Sequence, residues 1–267
     1  MPEPRTVVIT GAGTGIGAAC ARLHADQGAQ LVLIGRRREP LEQVADETGG
    51  LILVGDAACP DTWDGFITQI RQRYGRLDVL LACAGGHWLG SATQTSPHTW
   101  EAALRSNLDS AFYSARACLP LLMESAGNIV LIGSIASLAA GPQVCGYTTA
   151  KHALLGLNRS LARDYGPHGV RVNAVCPGWV RTPMADQEMQ PLMDAYGETL
   201  QQAYDRVCAD VPLRRPASAD EIARVCRFLA SADASIITGA TLVADGGSSI
   251  VDVPTLAFTR LEQPDGQ

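Results

Sequence analysis

Two side chains with complementary acid–base chemistry, Tyr147 and Lys151, stand four residues apart in a segment with helical periodicity. On a helix this spacing puts both on one face, so the phenol and the ammonium are predicted to lie side by side. A neighbouring positive charge lowers a tyrosine pKa, which suits the group to proton transfer near neutral pH. Ser134 follows the apolar run NIVLIG, where its hydroxyl can hold a substrate oxygen. These residues predict acid–base chemistry, although the spacing Y-x-x-x-K alone is common.

The composition is typical of a globular protein: 267 residues, 46% of them apolar, with a formal net charge of -6. This length fits one large α/β domain or two small ones, and the mildly negative charge argues against a nucleic-acid partner. No apolar run reaches the length of a membrane span, and the N-terminus lacks the apolar stretch of a signal peptide, so a cytoplasmic location is expected. The eight cysteines form no C-x-x-C pair, which predicts free thiols and no metal site.

A glycine-rich loop, TGAGTGIG, lies between the β-branched run 5–10 and a helical pattern. Strand, glycine loop and helix in this order place a pyrophosphate at a helix N-terminus, so the loop predicts a dinucleotide site. The spacing is G-x-x-x-G-x-G, with Ile16 where the third glycine of G-x-G-x-x-G would stand. The residues predicted to contact the cofactor here are Gly11, Gly13, Thr14, Gly15, Ile16 and Gly17.

The second predicted strand, 30–35, ends in three arginines, with no carboxylate before Glu39. An acid at this position bonds the ribose 2′-hydroxyl of NAD, whereas an arginine accommodates the 2′-phosphate of NADP. Arg36 and Arg37 therefore favour NADP(H), and NAD(H) stays possible. Asp56 and Ala57 follow the third strand, where the aspartate either bonds the adenine amino group or caps the next helix.

Strand and helix patterns alternate along the chain, which predicts a parallel, doubly wound sheet of about seven strands with helices on both faces. The predicted strands are 5–10, 30–35, 51–55, 77–86, 128–133, 170–178 and 240–247. Asn107 lies inside a long helical pattern, 98–124, where asparagine is unfavourable, so a kink or a functional role is expected. We expect one dinucleotide-binding and catalytic domain over 1–250 and a loosely held tail over 251–267.

The Met-rich segment 179–212 follows the sixth strand and is predicted to be either a substrate lid or a packed surface helix pair. In the lid interpretation its methionines face the site, and its acids, Asp186, Glu188, Asp194 and Glu198, face water. The residues predicted to line a pocket for an apolar substrate, including an aromatic one, beside Ser134 are His87, Trp88, Val144, Cys145, Met184 and Met189.

From about residue 5 to 248 the chain resembles the short-chain dehydrogenase/reductase family, in particular its 3-oxoacyl-carrier-protein reductase-like branch. The matching features are the TGAGTGIG loop, Asp56, ACAGG at 82–86, Asn107, Ser134, Tyr147, Lys151, the CPG turn at 176–178, Thr182 and TGATLVADGG at 238–247. The resemblance implies a Rossmann-type fold in which Tyr147 is the acid/base and Ser134 anchors the substrate oxygen. It also implies that Lys151 holds the nicotinamide ribose and that Asn107 fixes a water.

The same resemblance implies further cofactor contacts from Tyr147, Lys151, Ala84, Gly85, Pro177, Gly178, Val180 and Thr182. It points to a homotetramer built on the helices around 99–123 and 149–165, which carry surplus apolar residues. One departure is Cys83, where the family usually has an asparagine that braces the sheet. A thiol is a weak hydrogen-bonding group, so local repacking without loss of cofactor binding is expected.

These features predict an NADP(H)-dependent oxidoreductase that moves a hydride between the nicotinamide and a carbonyl or secondary alcohol carbon of a small molecule. One alternative is an NAD-dependent secondary-alcohol dehydrogenase of the same family. Another is a non-catalytic nucleotide-sensing protein, which would be expected to have lost part of the Asn107, Ser134, Tyr147 and Lys151 set. Neither a nucleic acid nor a membrane is expected as a partner.

Overall fold

Seven parallel strands form one sheet in the order β3-β2-β1-β4-β5-β6-β9, which confirms the predicted doubly wound α/β class. The computed structural model describes residues 4–259. The strands are β1 Thr6–Thr10, β2 Gln30–Gly35, β3 Leu51–Val54, β4 Val79–Ala82, β5 Asn128–Ile132, β6 Arg171–Pro177, β7 Val180–Arg181, β8 Ala217–Ser218 and β9 Thr241–Ala244. The short strands β7 and β8 pair separately. Strand order reverses between β1 and β4, which opens a crevice at their carboxyl ends.

Helices cover both faces of the sheet. They are α1 Gly15–Ala25, α2 Arg38–Thr48, α3 Pro60–Tyr74, α4 Pro97–Leu104, α5 Ser110–Ser125, α6 Cys145–Tyr165, α7 Pro183–Tyr196, α8 Leu200–Val207, α9 Ala219–Ala230 and α10 Leu256–Thr259. The helix predicted over 98–124 is two helices, α4 and α5, joined by a π-helical turn over Arg105–Asp109. Asn107 lies in this turn, so the kink expected at that residue is present.

Alternate residues of the central strands serve two separate hydrophobic cores. Val8 and Leu80 point to the core formed with α3, α5 and α6. Val7 and Leu81 point to the core formed with α1, α2 and α9. Both faces of these strands are therefore buried, which explains why their sequences are continuous apolar runs with no polar alternation.

The segment predicted as a lid folds into the helix pair α7 and α8, which has a small core of its own. Met189 is 1% exposed and packs against Ala203 and Tyr204. The Tyr204 hydroxyl donates to Asp186 Oδ1 over 2.8 Å. Met184, in contrast, is 46% exposed. The pattern expected for a lid is therefore wrong at Met189, which fills the helix pair, and at Asp186, which bonds inside it.

Most of the surplus apolar residues on the helices around 99–123 and 149–165 lie within the core of the subunit. Leu154, Leu155 and Leu161 of α6 are buried in its core, as are Leu119, Leu121 and Leu122 of α5. Phe112 is exposed, and Leu157 is partly buried. The sequence argument for a second apolar face on these helices is therefore wrong, because the sheet and the neighbouring helices bury most of that surplus.

The predicted tail is only partly visible. Residues 251–259 include the short helix α10, with Val253 and Phe258 exposed. Residues 260–267 lie outside the described residues, so the expectation of a loosely held tail stays a prediction there. Within the described chain no helix is long and apolar enough to cross a membrane.

We predict that Met189→Ala destabilises the helix pair by about 2–5 kcal/mol, because it leaves a cavity against Tyr204. Hydrogen exchange of the amides in α7 and α8 should accelerate, while exchange in β1 and β4 is unchanged. Met184→Ala is the matched control, since the same truncation on an exposed side chain opens no cavity. Equal exchange in the two variants would contradict the packing described here.

Candidate active site

The predicted acid–base residues meet at the carboxyl end of β5. Lys151 is buried in α6, and its Nζ donates to the carbonyl oxygen of Ile132, the last residue of β5, over 2.8 Å. The same Nζ lies 5.7 Å from the centre of the Tyr147 ring. Ser134 comes two residues after β5, and its hydroxyl lies close enough to Tyr147 to lower the pKa of that phenol. The strand end and the first turns of α6 thus bring the three side chains together.

The electrostatics of Tyr147 differ from the expectation. Burial raises the pKa of Tyr147, and the nearby Ser134 hydroxyl opposes this rise only partly. Burial also lowers the pKa of Lys151 to about 8. The prediction that Lys151 depresses the tyrosine pKa is therefore wrong for the protein alone, since the ammonium is itself desolvated and bonded to Ile132. Tyr147 holds its proton across the neutral range, which suits it to donate to a carbonyl oxygen.

Asn107 braces the loop that follows β4. Its Nδ2 donates to Gly86 O over 2.8 Å and to Ala103 O over 3.1 Å, and its Oδ1 accepts from Gly86 N over 3.3 Å. A Cβ on Gly85 would lie 2.9 Å from Asn107 Oδ1 and 3.7 Å from Lys151 Nζ. The π-helical turn therefore holds the glycines after β4 against the lysine. The water-binding role of Asn107 stays a prediction, because its side chain is engaged by the backbone.

A groove of about 400 Å³ lies at the switch point between β1 and β4. It brings together ten of the predicted site residues: Gly11, Gly13, Thr14, Arg36, Arg37, Asp56, Ala57, Ala84, Gly85 and Trp88. Its volume is that of a ligand pocket, and its place is where α/β sheets bind nucleotides. Several predicted contacts do not line this groove: Gly15, Ile16, Gly17, Tyr147, Lys151, Pro177, Gly178, Val180 and Thr182.

At two positions of this loop the surrounding structure requires a glycine. Gly11 adopts φ of 66°, and a Cβ on it would lie 3.0 Å from the backbone of Ala84. A Cβ on Gly17 would overlap the carbonyl oxygen of Gly11, so a glycine at this position lets α1 pack closely against the loop. The backbone of β1 and β4 can thus approach each other, which leaves a cradle of the shape that a pyrophosphate requires. The residues present fit a dinucleotide.

The charged residues of the groove differ in whether they form ion pairs or hydrogen bonds with other residues. Arg36 and Arg37 are exposed, and within residues 4–259 no ion pair involves either, whereas Arg38 lies 3.6 Å from Glu42. Asp56 accepts from Ala58 N over 3.0 Å and from Arg105 Nη2 over 2.9 Å.

Asp56 therefore does not cap α3, which begins after Cys59 without a side-chain cap, and that alternative is wrong. Burial raises the pKa of Asp56, but the bonds from Ala58 and Arg105 outweigh it, so the net shift is downward. Arg105 also lines the groove, and sequence reasoning missed it. No local spacing signals a pair that is 49 residues apart.

The substrate side of the site is more polar than expected. The His87 ring packs edge-on against Tyr147, with ring centres 5.3 Å apart. His87 Nδ1 lies 3.5 Å from Glu188 Oε1, and both side chains are less than 20% exposed (19% and 17%). Glu188 was expected to face water and is instead turned inward, so that expectation is wrong. Burial raises the pKa of Glu188 to about 7 and lowers the pKa of His87.

The other predicted pocket residues have mixed positions. Trp88 lies in the groove, where its Nε1 donates to Ser106 Oγ over 2.8 Å. Val144 forms a bridge with Gly90, and Cys145 N donates to Gly90 O over 3.2 Å, so these two residues lie beside the loop after β4. Met189 is withdrawn into the helix pair. Met189 therefore no longer supports the expectation of an apolar substrate pocket.

Cys83 stands where a bracing asparagine was expected. The neighbouring thiols of Cys226 and Cys83, together with burial, raise the pKa of Cys20 well above the usual range, so Cys83 lies beside Cys20. The loop after β4 is tied to β1 by another group, since Ala84 N donates to the Thr10 hydroxyl over 3.1 Å. The thiol thus occupies a packed position, and Thr10 supplies the brace.

Comparison with known proteins agrees with this arrangement. The family model described as enoyl-(acyl carrier protein) reductase matches residues 11–249. The chain is 58% identical to protein MoaE of Klebsiella aerogenes, over 95% of this chain and 99% of that one. It is 35% identical to meso-2,3-butanediol dehydrogenase of Serratia marcescens, over 94% and 96%. The solved structure of the aldohexose dehydrogenase of Thermoplasma acidophilum has a TM-score of 0.88 at 30% identity and covers 94% of this chain and 96% of that one.

Fold, groove and relatives together define the class of protein: a nicotinamide-dependent oxidoreductase. The chain belongs to the short-chain dehydrogenase/reductase family, which confirms the resemblance stated from the motifs.

Proposed function

We propose that this enzyme is an NADP(H)-dependent oxidoreductase that exchanges a hydride with a carbonyl or secondary alcohol carbon, with Tyr147 as the proton carrier. The observation that carries this proposal is the cluster of Ser134, Tyr147 and Lys151 at the carboxyl end of β5. This cluster adjoins the cofactor groove, since Gly85 lies between Lys151 and the groove.

In the proposed mechanism the nicotinamide, when bound, supplies or accepts the hydride. The Ser134 hydroxyl donates a hydrogen bond to the substrate oxygen and orients it. Tyr147 gives its phenolic proton to the same oxygen during reduction and takes it back during oxidation. Because burial raises the pKa of Tyr147, the proton is in place for reduction at neutral pH. Lys151, anchored on Ile132, offers its remaining protons to the cofactor ribose.

The helix pair of residues 183–207 is proposed to cover the substrate as one unit of a single domain over residues 1–250. Support comes from Glu188, which reaches from α7 to His87 beside Tyr147. Because α7 and α8 share a core, they would move together and not as a loose flap. Closure of such a cover excludes water from the reacting atoms.

The substrate is proposed to be a small polar ketone or the corresponding alcohol. Two relatives by name act on hydroxylated molecules, a butanediol and an aldohexose. Burial of His87 and Glu188 beside Tyr147 supports a polar pocket more than an apolar one.

We predict that Tyr147→Phe lowers turnover at least about a hundredfold, because it removes the proton donor while preserving the ring. Cofactor binding should be retained, as measured by fluorescence titration of the reduced nicotinamide. Tyr74→Phe is the matched control, since its hydroxyl bonds Leu31 O at the amino end of β2, away from the site. Near-normal turnover of Tyr147→Phe would remove the tyrosine from its proposed role.

A further prediction concerns the cofactor preference of the enzyme. Replacing Arg36 and Arg37 together by alanine should weaken NADPH binding at least about tenfold, because charge-assisted hydrogen bonds to the 2′-phosphate are lost. NADH binding should change little. Arg38→Ala is the control from the same turn and should alter neither affinity, because Arg38 faces Glu42. If titration of the native protein shows NADH binding equally or more tightly, the NAD-dependent alternative is the correct one.

We also propose that the subunits assemble, with a homotetramer expected from the family resemblance. Support comes from apolar side chains at an open sheet edge and its extension: Leu242 and Val243 of β9, and Ile250, Val253 and Phe258 beyond it are exposed. An edge strand with exposed apolar residues is a common interface. Light scattering at micromolar concentration should give a mass of several subunits, and a monomeric mass would refute assembly.

A further inference from the structure

A carboxylate lies one side chain away from the proposed proton carrier. Glu188 Oε1 is 3.5 Å from Nδ1 of His87, and the His87 ring packs edge-on against Tyr147. Glu188 comes from α7, whereas His87 follows β4 and Tyr147 belongs to α6. Three separate elements therefore converge on this point, so the carboxylate belongs to the wall of the reaction site.

Within residues 4–259 no lysine or arginine forms an ion pair with Glu188. Other acids pair with arginines: Glu47 with Arg22, Asp56 with Arg105, Glu198 with Arg206 and Glu221 with Arg215. Among residues 4–259 the ion-pair partner of Glu188 is His87. Burial lowers the pKa of that imidazole, so it is mainly neutral at neutral pH. A carboxylate accepts about four hydrogen bonds, and within residues 4–259 no protein group donates one to the side chain of Glu188.

The other acids of α7 accept hydrogen bonds within the helix pair. Asp186 accepts from the Tyr204 hydroxyl, and Asp194 accepts from Gln190 over 2.7 Å. The Glu188 side chain accepts no such hydrogen bond within residues 4–259. In its ionised form Glu188 adds to the effect of burial in raising the pKa of Tyr147, which opposes formation of a tyrosinate. The pKa of Glu188 itself, about 7, leaves this side chain partly ionised at neutral pH. Partial burial of Glu188 costs desolvation free energy, and its charge opposes the proposed proton transfer from Tyr147. Both are explained if a group of the substrate forms a hydrogen bond with Glu188.

We propose that Glu188, held by His87, accepts a hydrogen bond from a hydroxyl or ammonium group that the substrate carries beside its reacting carbon. This inference rests on the proposed function and makes Glu188 a specificity-determining residue. It names the substrate class as vicinal diols or amino alcohols and the matching hydroxy or amino ketones. A donor from the substrate bonds the carboxyl oxygens of Glu188 and favours its ionised form, and an ammonium also offsets the charge that acts on Tyr147.

The test compares three alcohols of matched size: 2-butanol, 1,2-propanediol and 1-amino-2-propanol. They place a methyl, a hydroxyl or an ammonium at the same position. Oxidation by the native enzyme with NADP+ is followed as cofactor reduction, and with NAD+ in parallel so that cofactor preference does not decide the result. The expected kcat/KM of one or both polar alcohols exceeds that of 2-butanol. If the alcohols are turned over, a preference for 2-butanol, or equal values, overturns the proposal.

Variants then identify the residue and the chemistry. Glu188→Leu should reduce the preference for the polar alcohols at least about tenfold, through KM more than through kcat. Glu188→Gln retains an acceptor oxygen and removes the charge, so it should keep much of a hydroxyl preference and lose an ammonium preference. Asp194→Asn, an exposed change on the same helix, is the control and should leave the preference intact. An unchanged preference in both Glu188 variants overturns the proposal.

Binding separates this inference from the proposed function. Saturation-transfer NMR on the NADP+-loaded protein measures binding of the two polar alcohols without turnover. Binding that depends on Glu188, with no cofactor reduction by any alcohol, supports the subsite and contradicts the proposed reaction. Turnover abolished by Tyr147→Phe, with binding equal in the native protein and Glu188→Leu, supports the reaction and contradicts the subsite.

Discussion

The buried hydrogen bond from Lys151 to the carbonyl of Ile132 is the constraint on which the site depends. An ammonium that leaves water needs compensation, and here a backbone carbonyl at the end of β5 supplies it. The residual cost is seen in the lowered pKa of the lysine, about 8. In return the bond joins α6 to the carboxyl end of the sheet. Tyr147, one turn earlier on the same helix, is thereby set beside Ser134 and the groove.

The charges along the site have opposite signs at its two ends. Arg36 and Arg37 lie exposed in the groove at the β2 end, and their charges suit a phosphate. Glu188 lies at the other end, beside His87 and Tyr147, and its charge suits a hydrogen-bond donor. In the proposed function the cofactor and the substrate would therefore meet between these two regions, with Tyr147, the proposed proton carrier, at the boundary.

Prediction from sequence succeeded where a residue's environment is set by its immediate neighbours. The strand runs predicted their burial because both faces of a parallel sheet are covered. Asn107 marked the break between α4 and α5 because asparagine is unfavourable within a helix. It missed Arg105 as the partner of Asp56, because the two residues are distant in sequence. It also failed for Met189, since helical spacing tells which residues share a face but not which element that face meets.

The sequence by itself determined the class of fold, the family and the cluster of Ser134, Tyr147 and Lys151, because these follow from local periodicity and from motifs in a fixed order. The tertiary structure alone decided the electrostatics of that cluster. The pKa of Tyr147 rises and that of Lys151 falls because of burial, which depends on how α6 packs against the sheet. It also decided that Glu188 faces the site, because that orientation requires α7, α6 and the loop after β4 to converge.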